Sequence, residues 1–418
     1  MNNGRSKTKI VLADQVLVSG VNFLTGLLLA RYLGLEGYGQ YVLAYGLVLF
    51  SAGFHVAMIV SPMMVIAPRF NGEHSEKYFA NVYVANILFC ILSLLSIFVV
   101  SNLLSFFFPH WELGSLLWPL CITAPFFLLQ DYYRRYFFVI DKPKLSLIND
   151  CITYGLRLVF LLAFGFSGLL GAAEAIWIVG GSAAIGVALA VLQNKNLRVY
   201  GQLDFDGLKK VVIDHWNFGK WLIANNLTYW GGSQFIIYMV GAILTTAYVG
   251  AMSATLNLVG IANVLFLALE NIVPSRSSRI YSNSGSKGLS KYLSRISLLG
   301  GLATLTIVMI AGVWSEEWLS LIYGEEYLGY GWLVWWWGLY YFVGFFQRPL
   351  SAGLRVLGYT KGIFYASIAG SVLALICGYI SIQWLQLDGA MLLLCFIQTT
   401  ILVSMYLYYR NVMGTAAH

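Results

Sequence analysis

Long apolar runs without charge govern what this chain can fold into. Residues 79–101 are one such run and hold no charged side chain at all. About 20 consecutive apolar residues suffice to carry a helix across the hydrocarbon of a bilayer. A membrane barrel would instead show alternating segments of about ten residues, and these runs do not alternate. Similar runs fall at about 10–33, 38–66, 79–101, 114–137, 146–167, 171–192, 218–243, 247–273, 292–314, 329–352, 362–384 and 388–409. The expected fold is therefore an all-α membrane protein with twelve transmembrane helices. Composition agrees: the chain is 59% hydrophobic and 10% charged, where a soluble domain carries about a quarter charged residues. Twelve spans leave no stretch for a soluble catalytic domain.

Basic residues orient the spans. With the N-terminus in the cytoplasm, every lysine and arginine except Arg31 and Arg157 falls at an inner end or loop. The outer loops are acidic, with Glu36, Glu112, Glu316, Glu317, Glu325, Glu326 and Asp388. Miscounting one span would destroy this asymmetry, so it supports both the number of spans and cytoplasmic termini. It also accounts for the net charge of +7, which in a soluble protein would suggest nucleic acid; no nucleic-acid partner is expected here. The basic N-terminus is interrupted by Asp14 and Gln15 before its apolar run, which reads as a retained first helix and not a cleaved signal.

The longest polar stretch, residues 193–217, lies in the middle. It divides the chain into an N-terminal six-helix lobe (1–192) and a C-terminal one (218–418), and it is either a plain linker or an amphipathic helix on the inner membrane surface. Weak internal matches support a duplication. Gln130 and Gln347 close the fourth span of each half, each with a lysine fourteen residues later, Lys144 and Lys361. The second span of each half opens at a Tyr/Gly turn and closes on a proline near an arginine. An even number of spans per half makes the repeats parallel, with a central cavity at their interface.

Two stretches carry a family likeness. LLLARYLGLEGYGQYVLAYGLVLF (27–50), with its Ala-Arg-aromatic-Leu-Gly turn and following Tyr-Gly pair, resembles the opening of Wzx-type polysaccharide flippases. These belong to the multidrug/oligosaccharidyl-lipid/polysaccharide (MOP) superfamily. HWNFGKWLIANNLTYWGG (215–232) is similar to that family's seventh span. The resemblance implies two six-helix lobes in a V around a central cavity. It implies a multi-pass protein of the bacterial inner membrane that flips an undecaprenyl-diphosphate-linked oligosaccharide, such as an O-antigen unit, to the outer leaflet by alternating access. Membrane lipid, and a polysaccharide polymerase with its chain-length machinery, are the partners it suggests.

Such a cargo has an anionic head and asks for a wet, cationic cavity. Arg157 sits about 16 Å into the fifth span at 1.5 Å per residue. A guanidinium matches phosphate or carboxylate with two parallel hydrogen bonds, and an intramembrane charge defaults to function. The alternative is a buried ion pair or a carbonyl-satisfied arginine that fixes packing. Arg134 and Arg135 are candidates to meet the diphosphate at the cytoplasmic mouth, or serve as inner-surface anchors. Asn22, Asn225, Asn226, Gln234 and Asn257 are polar residues within spans, suited to sugar hydroxyls or to stapling helices. Asp14 and Glu270 are candidate coupling carboxylates or ends of salt bridges. No catalytic residue is expected. The histidines show no metal spacing, the cysteines form no CxxC pair, and no GxxxxGK[ST] loop for ATP is present. No cofactor is expected, and transport would draw on a proton or sodium gradient.

The nearest rival is a multidrug or toxic-compound antiporter of the same superfamily, which Arg157 disfavours because it would repel cationic cargo. A lipid II flippase carries two more spans. A polysaccharide polymerase or ligase would need a large outer loop with arginine or histidine, and the outer loops here are short.

Overall fold

In hydrocarbon a backbone must satisfy its own polar groups, and over these lengths helices do so. The computed structural model describes residues 2–194, 204–260 and 262–415, and these are helical almost throughout, with no strand among them. Part of the central linker, residues 195–203, lies outside the described residues. The elements are α1 (Asn2–His55), a π turn (Val56–Val60), α2 (Ser61–Ile66), α3 (Glu73–Phe107), α4 (Leu113–Val139), α5 (Pro143–Phe166) and α6 (Ala172–Gln193). Then follow α7 (Phe205–Tyr229), a second π turn (Trp230–Gln234), α8 (Phe235–Ile243), α9 (Thr246–Val259), α10 (Ala262–Val313), α11 (Ser315–Tyr323), α12 (Trp332–Val356) and α13 (Lys361–Thr415).

Three elements are pairs of helices joined at one residue. α1 breaks at Gly34 (φ 66°), α10 at Gly285 (φ 62°) and α13 at Gln386 (φ 50°). Split at these breaks, with helices joined by a π turn counted as one, α9 counted with the first part of α10, and the nine-residue α11 left out, the described residues hold twelve segments in the order read from sequence. By length and apolarity alone seven helical stretches qualify as spans, and three of these, Lys9–Arg69, Arg276–Val313 and Lys361–Met413, contain such a break. One difference concerns residues 274–291, which read as a polar loop. They are helical, broken only at Gly285. A helix leaving the membrane has already paired its backbone internally, so Ser, Arg and Lys side chains can extend it into water.

The helices are turned inside out relative to soluble ones. On α3 the buried side chains include Asn81, Asn86, Ser93 and Ser101, whereas Leu88, Ile91, Leu92, Leu95 and Val99 are exposed. Water would not tolerate that face; lipid does, and small or polar residues let membrane helices approach. The chain is a multi-pass membrane protein.

Contacts divide the chain into two units: Met1–Leu33 with Gln40–Asn226, and Gly34–Gly39 with Leu227–His418. The first is centred on an aromatic core in which Tyr132, Tyr133, Tyr136 and Phe137 of α4 meet Tyr78 and Phe79 of α3 and Met63 of α2. Most of α7 packs here: its buried Val211, His215 and Gly219 recur every four residues. The second unit packs α10, α12 and α13 around Leu289, Leu293, Leu354 and Tyr409. Its α9 meets the start of α1's second helix backbone to backbone. A Cβ on Gly250 would lie 2.0 Å from the Leu35 carbonyl oxygen, and one on Gly39 would lie 1.8 Å from that of Thr246.

Candidate functional site

In the first unit, α4 and α5 present polar groups at helical spacing. Gln130 and Arg134 are four apart on α4; Asp150, Tyr154 and Arg157 follow at four and three on α5. These intervals stack side chains on one face. Asp14 on α1 completes a buried cluster. The Arg134 guanidinium donates to Asp14 Oδ2 from Nη2 at 2.8 Å and from Nε at 3.2 Å, and lies 2.8 Å from Asp150 Oδ2. Nη2 also reaches Gln15 Oε1 at 3.3 Å, and Gln130 donates to Asp150 Oδ1 at 3.0 Å. Asp14 is 0%, Asp150 1% and Arg134 6% exposed. One permanent cation thus holds two carboxylates from two other helices, in surroundings where an unpaired charge is very costly.

Arg157, 2% exposed, is held differently. Nε is 3.4 Å from Ser182 Oγ, Nη1 is 3.4 Å from Asn22 Oδ1, and the guanidinium carbon lies 4.7 Å from the Tyr154 ring centre. These are long hydrogen bonds. Nη2 is buried with no partner, and among the described residues no carboxylate lies within ion-pair distance of Arg157. A buried guanidinium with an unused N–H edge can accept the oxygens of an anion or of water.

The other sequence candidates are dispersed. Arg135 is half-buried and pairs with Asp131 on its own helix at 3.5 Å. Asn225 is exposed, whereas Asn226 packs on Gly53 with its Nδ2 buried and unbonded. In the second unit Gln234, in the π turn, donates to the Tyr229 hydroxyl at 3.2 Å, and Asn257 donates to that of Tyr38 at 3.0 Å. The Glu270 side chain lies outside what the structure describes. Sequence reasoning missed Asp150 and the partnership of Gln130 with it. It counted Arg157 as the sole charge in mid-membrane, whereas Asp14, Arg134 and Asp150 are buried as well. It also missed Arg348 and Arg355, seven apart on α12, which line a cavity of about 70 Å³ with Leu269, Val273 and Pro274. Arg348 lies 5.5 Å from the Phe266 ring centre. Among the described residues no group of His, Cys, Asp and Glu could hold a metal ion.

With this arrangement established, comparison with known proteins places the fold. Residues 222–380 match the MatE family model. Over 96% of this chain and 95% of the other, the structure superposes on an inward-facing multidrug resistance MATE family transporter of the MOP superfamily, with TM-score 0.78 and 13% identity. The fold is that of the MATE transporters. A eukaryotic MATE transporter matches with TM-score 0.60 and 14% identity over 99% of this chain and 98% of that one. A MOP superfamily transporter from Pyrococcus furiosus matches with TM-score 0.63 and 14% identity over 99% and 97%; the reversed polarity of its binding pocket suggests a different function for that protein. No curated protein sequence matches significantly. The MATE proteins so matched are transporters, not enzymes.

Proposed function

We propose that this chain exports amphipathic solutes of the multidrug class by alternating access, driven by a proton or sodium gradient. The observation that carries this reading is the whole-chain likeness to a multidrug resistance MATE transporter, reinforced by the MatE segment at 222–380. The objection from charge falls away. The first unit buries the carboxylates Asp14 and Asp150 as well as Arg134 and Arg157, so Arg157 is not a lone positive charge facing a cation.

A second reading keeps the lipid-linked oligosaccharide as cargo, with flipping toward the outer leaflet of a bacterial inner membrane. A specific observation favours it: Asp14 and Asp150 are both engaged by Arg134, which leaves Arg157 with an unused edge and no carboxylate. Arg348 and Arg355 add a second cationic lining, with no acid among its described residues. The flippase-like stretches at 27–50 and 215–232 point the same way.

One pair of assays separates the two. Cells lacking the protein are compared with complemented cells for ethidium efflux and for the pool of radiolabelled lipid-linked oligosaccharide. The export reading expects efflux to return with the protein and the lipid-linked pool to stay constant. A pool that accumulates without the protein and clears with it, while efflux is unchanged, sinks the export reading in favour of the flippase.

A further inference from the structure

α10, α12 and α13 of the second unit enclose a cavity of about 770 Å³. That is within the range of ligand pockets, about 300–1,000 Å³, which are mostly apolar with a few placed polar groups. Its walls are Leu293 and Leu298 of α10, Phe346 and Pro349 of α12, and Leu402 and Val403 of α13. The open side is apolar: Leu298 is 63% and Tyr406 52% exposed. In a membrane-spanning chain such a side meets hydrocarbon, not water.

The polar groups of this cavity are not those of an ordinary lipid-facing surface. Ser290, Ser294 and Ser297 line it at intervals of four and three, on one face of α10. Tyr409, only 8% exposed, brings its hydroxyl into this cavity beside Ser290. Arg410 lines the same cavity, is exposed, and forms no ion pair with any described residue. Lys291 and Arg295, also exposed, each follow one of the serines. Among the described residues no acidic side chain lines the cavity. From Ser290 to Leu298 the α10 wall runs about 12 Å at 1.5 Å per residue, with three serines spaced along it and Leu298 at its exposed apolar end.

We infer that this cavity holds an acyl chain of an anionic phospholipid whose phosphate is bound at Arg410. The apolar walls take the chain. Arg410, with Lys291 and Arg295 close by in sequence, supplies the positive field that attracts anionic head groups. The phosphate and glycerol oxygens offer acceptors to the serine and Tyr409 hydroxyls. The inference does not depend on which cargo is carried.

The test is native mass spectrometry of the full-length protein in detergent, titrated with dioleoylphosphatidylglycerol or dioleoylphosphatidylcholine. Wild type should retain one phosphatidylglycerol roughly fivefold or more tightly than phosphatidylcholine, the factor that one basic contact at a membrane surface supplies. Arg410→Gln should bring the two lipids to parity, Arg410→Lys should keep the preference, and Ser294→Phe should lower retention of both by filling the cavity. Arg410 is exposed, so its substitution leaves the helix packing intact. Equal retention of the two lipids by wild type, or an undiminished preference in Arg410→Gln, overturns the inference. So does one-for-one displacement of phosphatidylglycerol by a polyprenyl phosphate at equal concentration, which assigns the cavity to cargo.

Discussion

Arg134 and Arg157 come from adjacent helices of one unit and are similarly buried, yet their partners differ. Arg134 bridges Asp14 and Asp150. Removing it strands two carboxylates away from water, and breaking a buried pair costs about 3–5 kcal/mol. Arg134→Ala should therefore lower thermal stability in detergent sharply, whereas the triple change Arg134→Met, Asp14→Leu, Asp150→Leu should restore much of it, since no charge is then left alone. Equal destabilisation by the single and triple variants would show that the ion cluster is not what Arg134 supports. Arg157 has only long hydrogen bonds and an aromatic contact, and its own desolvation offsets them. Arg157→Met should leave the melting temperature within the change expected for about 1 kcal/mol while transport falls at least tenfold; a large loss of stability with normal transport per folded molecule would make it a packing residue. Sequence distinguished these two unevenly. Arg157 stands out because its neighbours along the chain are apolar. The cluster does not, because Asp14 and Arg134 are 120 residues apart and each lies near a span end, where a charge ordinarily reaches water. Only packing of α1, α4 and α5 reveals that these ends are closed.

α7 is the element least expected from its composition. Its polar opening read as a linker or a surface helix, but it runs as one helix from Phe205 to Tyr229, and His215 fixes it to the first unit. The imidazole Nδ1–H donates to the Met58 carbonyl, inside the π turn, and Nε2 accepts from the Tyr78 hydroxyl, both at 2.9 Å. Burial pushes the His215 imidazole below its ordinary pKa, against smaller opposing effects of the Met58 carbonyl and Asp214. The unfolded chain then binds the proton more readily than the folded one. Stability from this contact is full above about 6.5, the unfolded value, and is lost as pH falls from there toward the lower folded value. Wild type should accordingly melt earlier at pH 5 than at pH 7.5, and His215→Gln should flatten that slope; an unchanged slope would place the titrating group elsewhere. The close approach of α1 and α9 is also an element-scale feature. Gly250→Ala must force its methyl against the Leu35 carbonyl, an overpacking that costs about 1–3 kcal/mol. Gly20, with nothing within 4 Å of a Cβ, should gain about 0.5–1 kcal/mol as alanine from helix propensity. Thermal unfolding of the two variants side by side separates contact from propensity. The Ala-Arg-aromatic-Leu-Gly pattern was legible as a turn because Gly34 takes a left-handed φ of 66°. The α1–α9 contact was not, because glycines are frequent in membrane helices for several reasons.

For the whole molecule, the single-residue breaks make the topology testable. Between Gly34 and Gly285 the described helices make seven crossings when read as spans, and between Gly285 and Gln386 they make three. Both numbers are odd, so the first and third breaks must share a side and the second must face the other. The distribution of lysine and arginine predicts Gly34 and Gln386 outside and Gly285 in the cytoplasm, an expectation that labelling tests. In a background with the five free cysteines replaced, Glu36→Cys and Asp388→Cys should react with a membrane-impermeant maleimide on intact cells. Ser286→Cys should react only after permeabilisation. The three sites constrain each other. If Glu36→Cys and Ser286→Cys label from the same side, one stretch between them does not cross, and α7–α8 is the first suspect, because its opening carries Lys209, Lys210 and Asp214 and it is not among the helices apolar enough to span by composition alone. If all three label as expected with sides exchanged, the helices are counted correctly and the orientation from charge is inverted. That outcome would place Arg410 and its serine-lined cavity at the outer leaflet, where the head groups available to it are those of that leaflet.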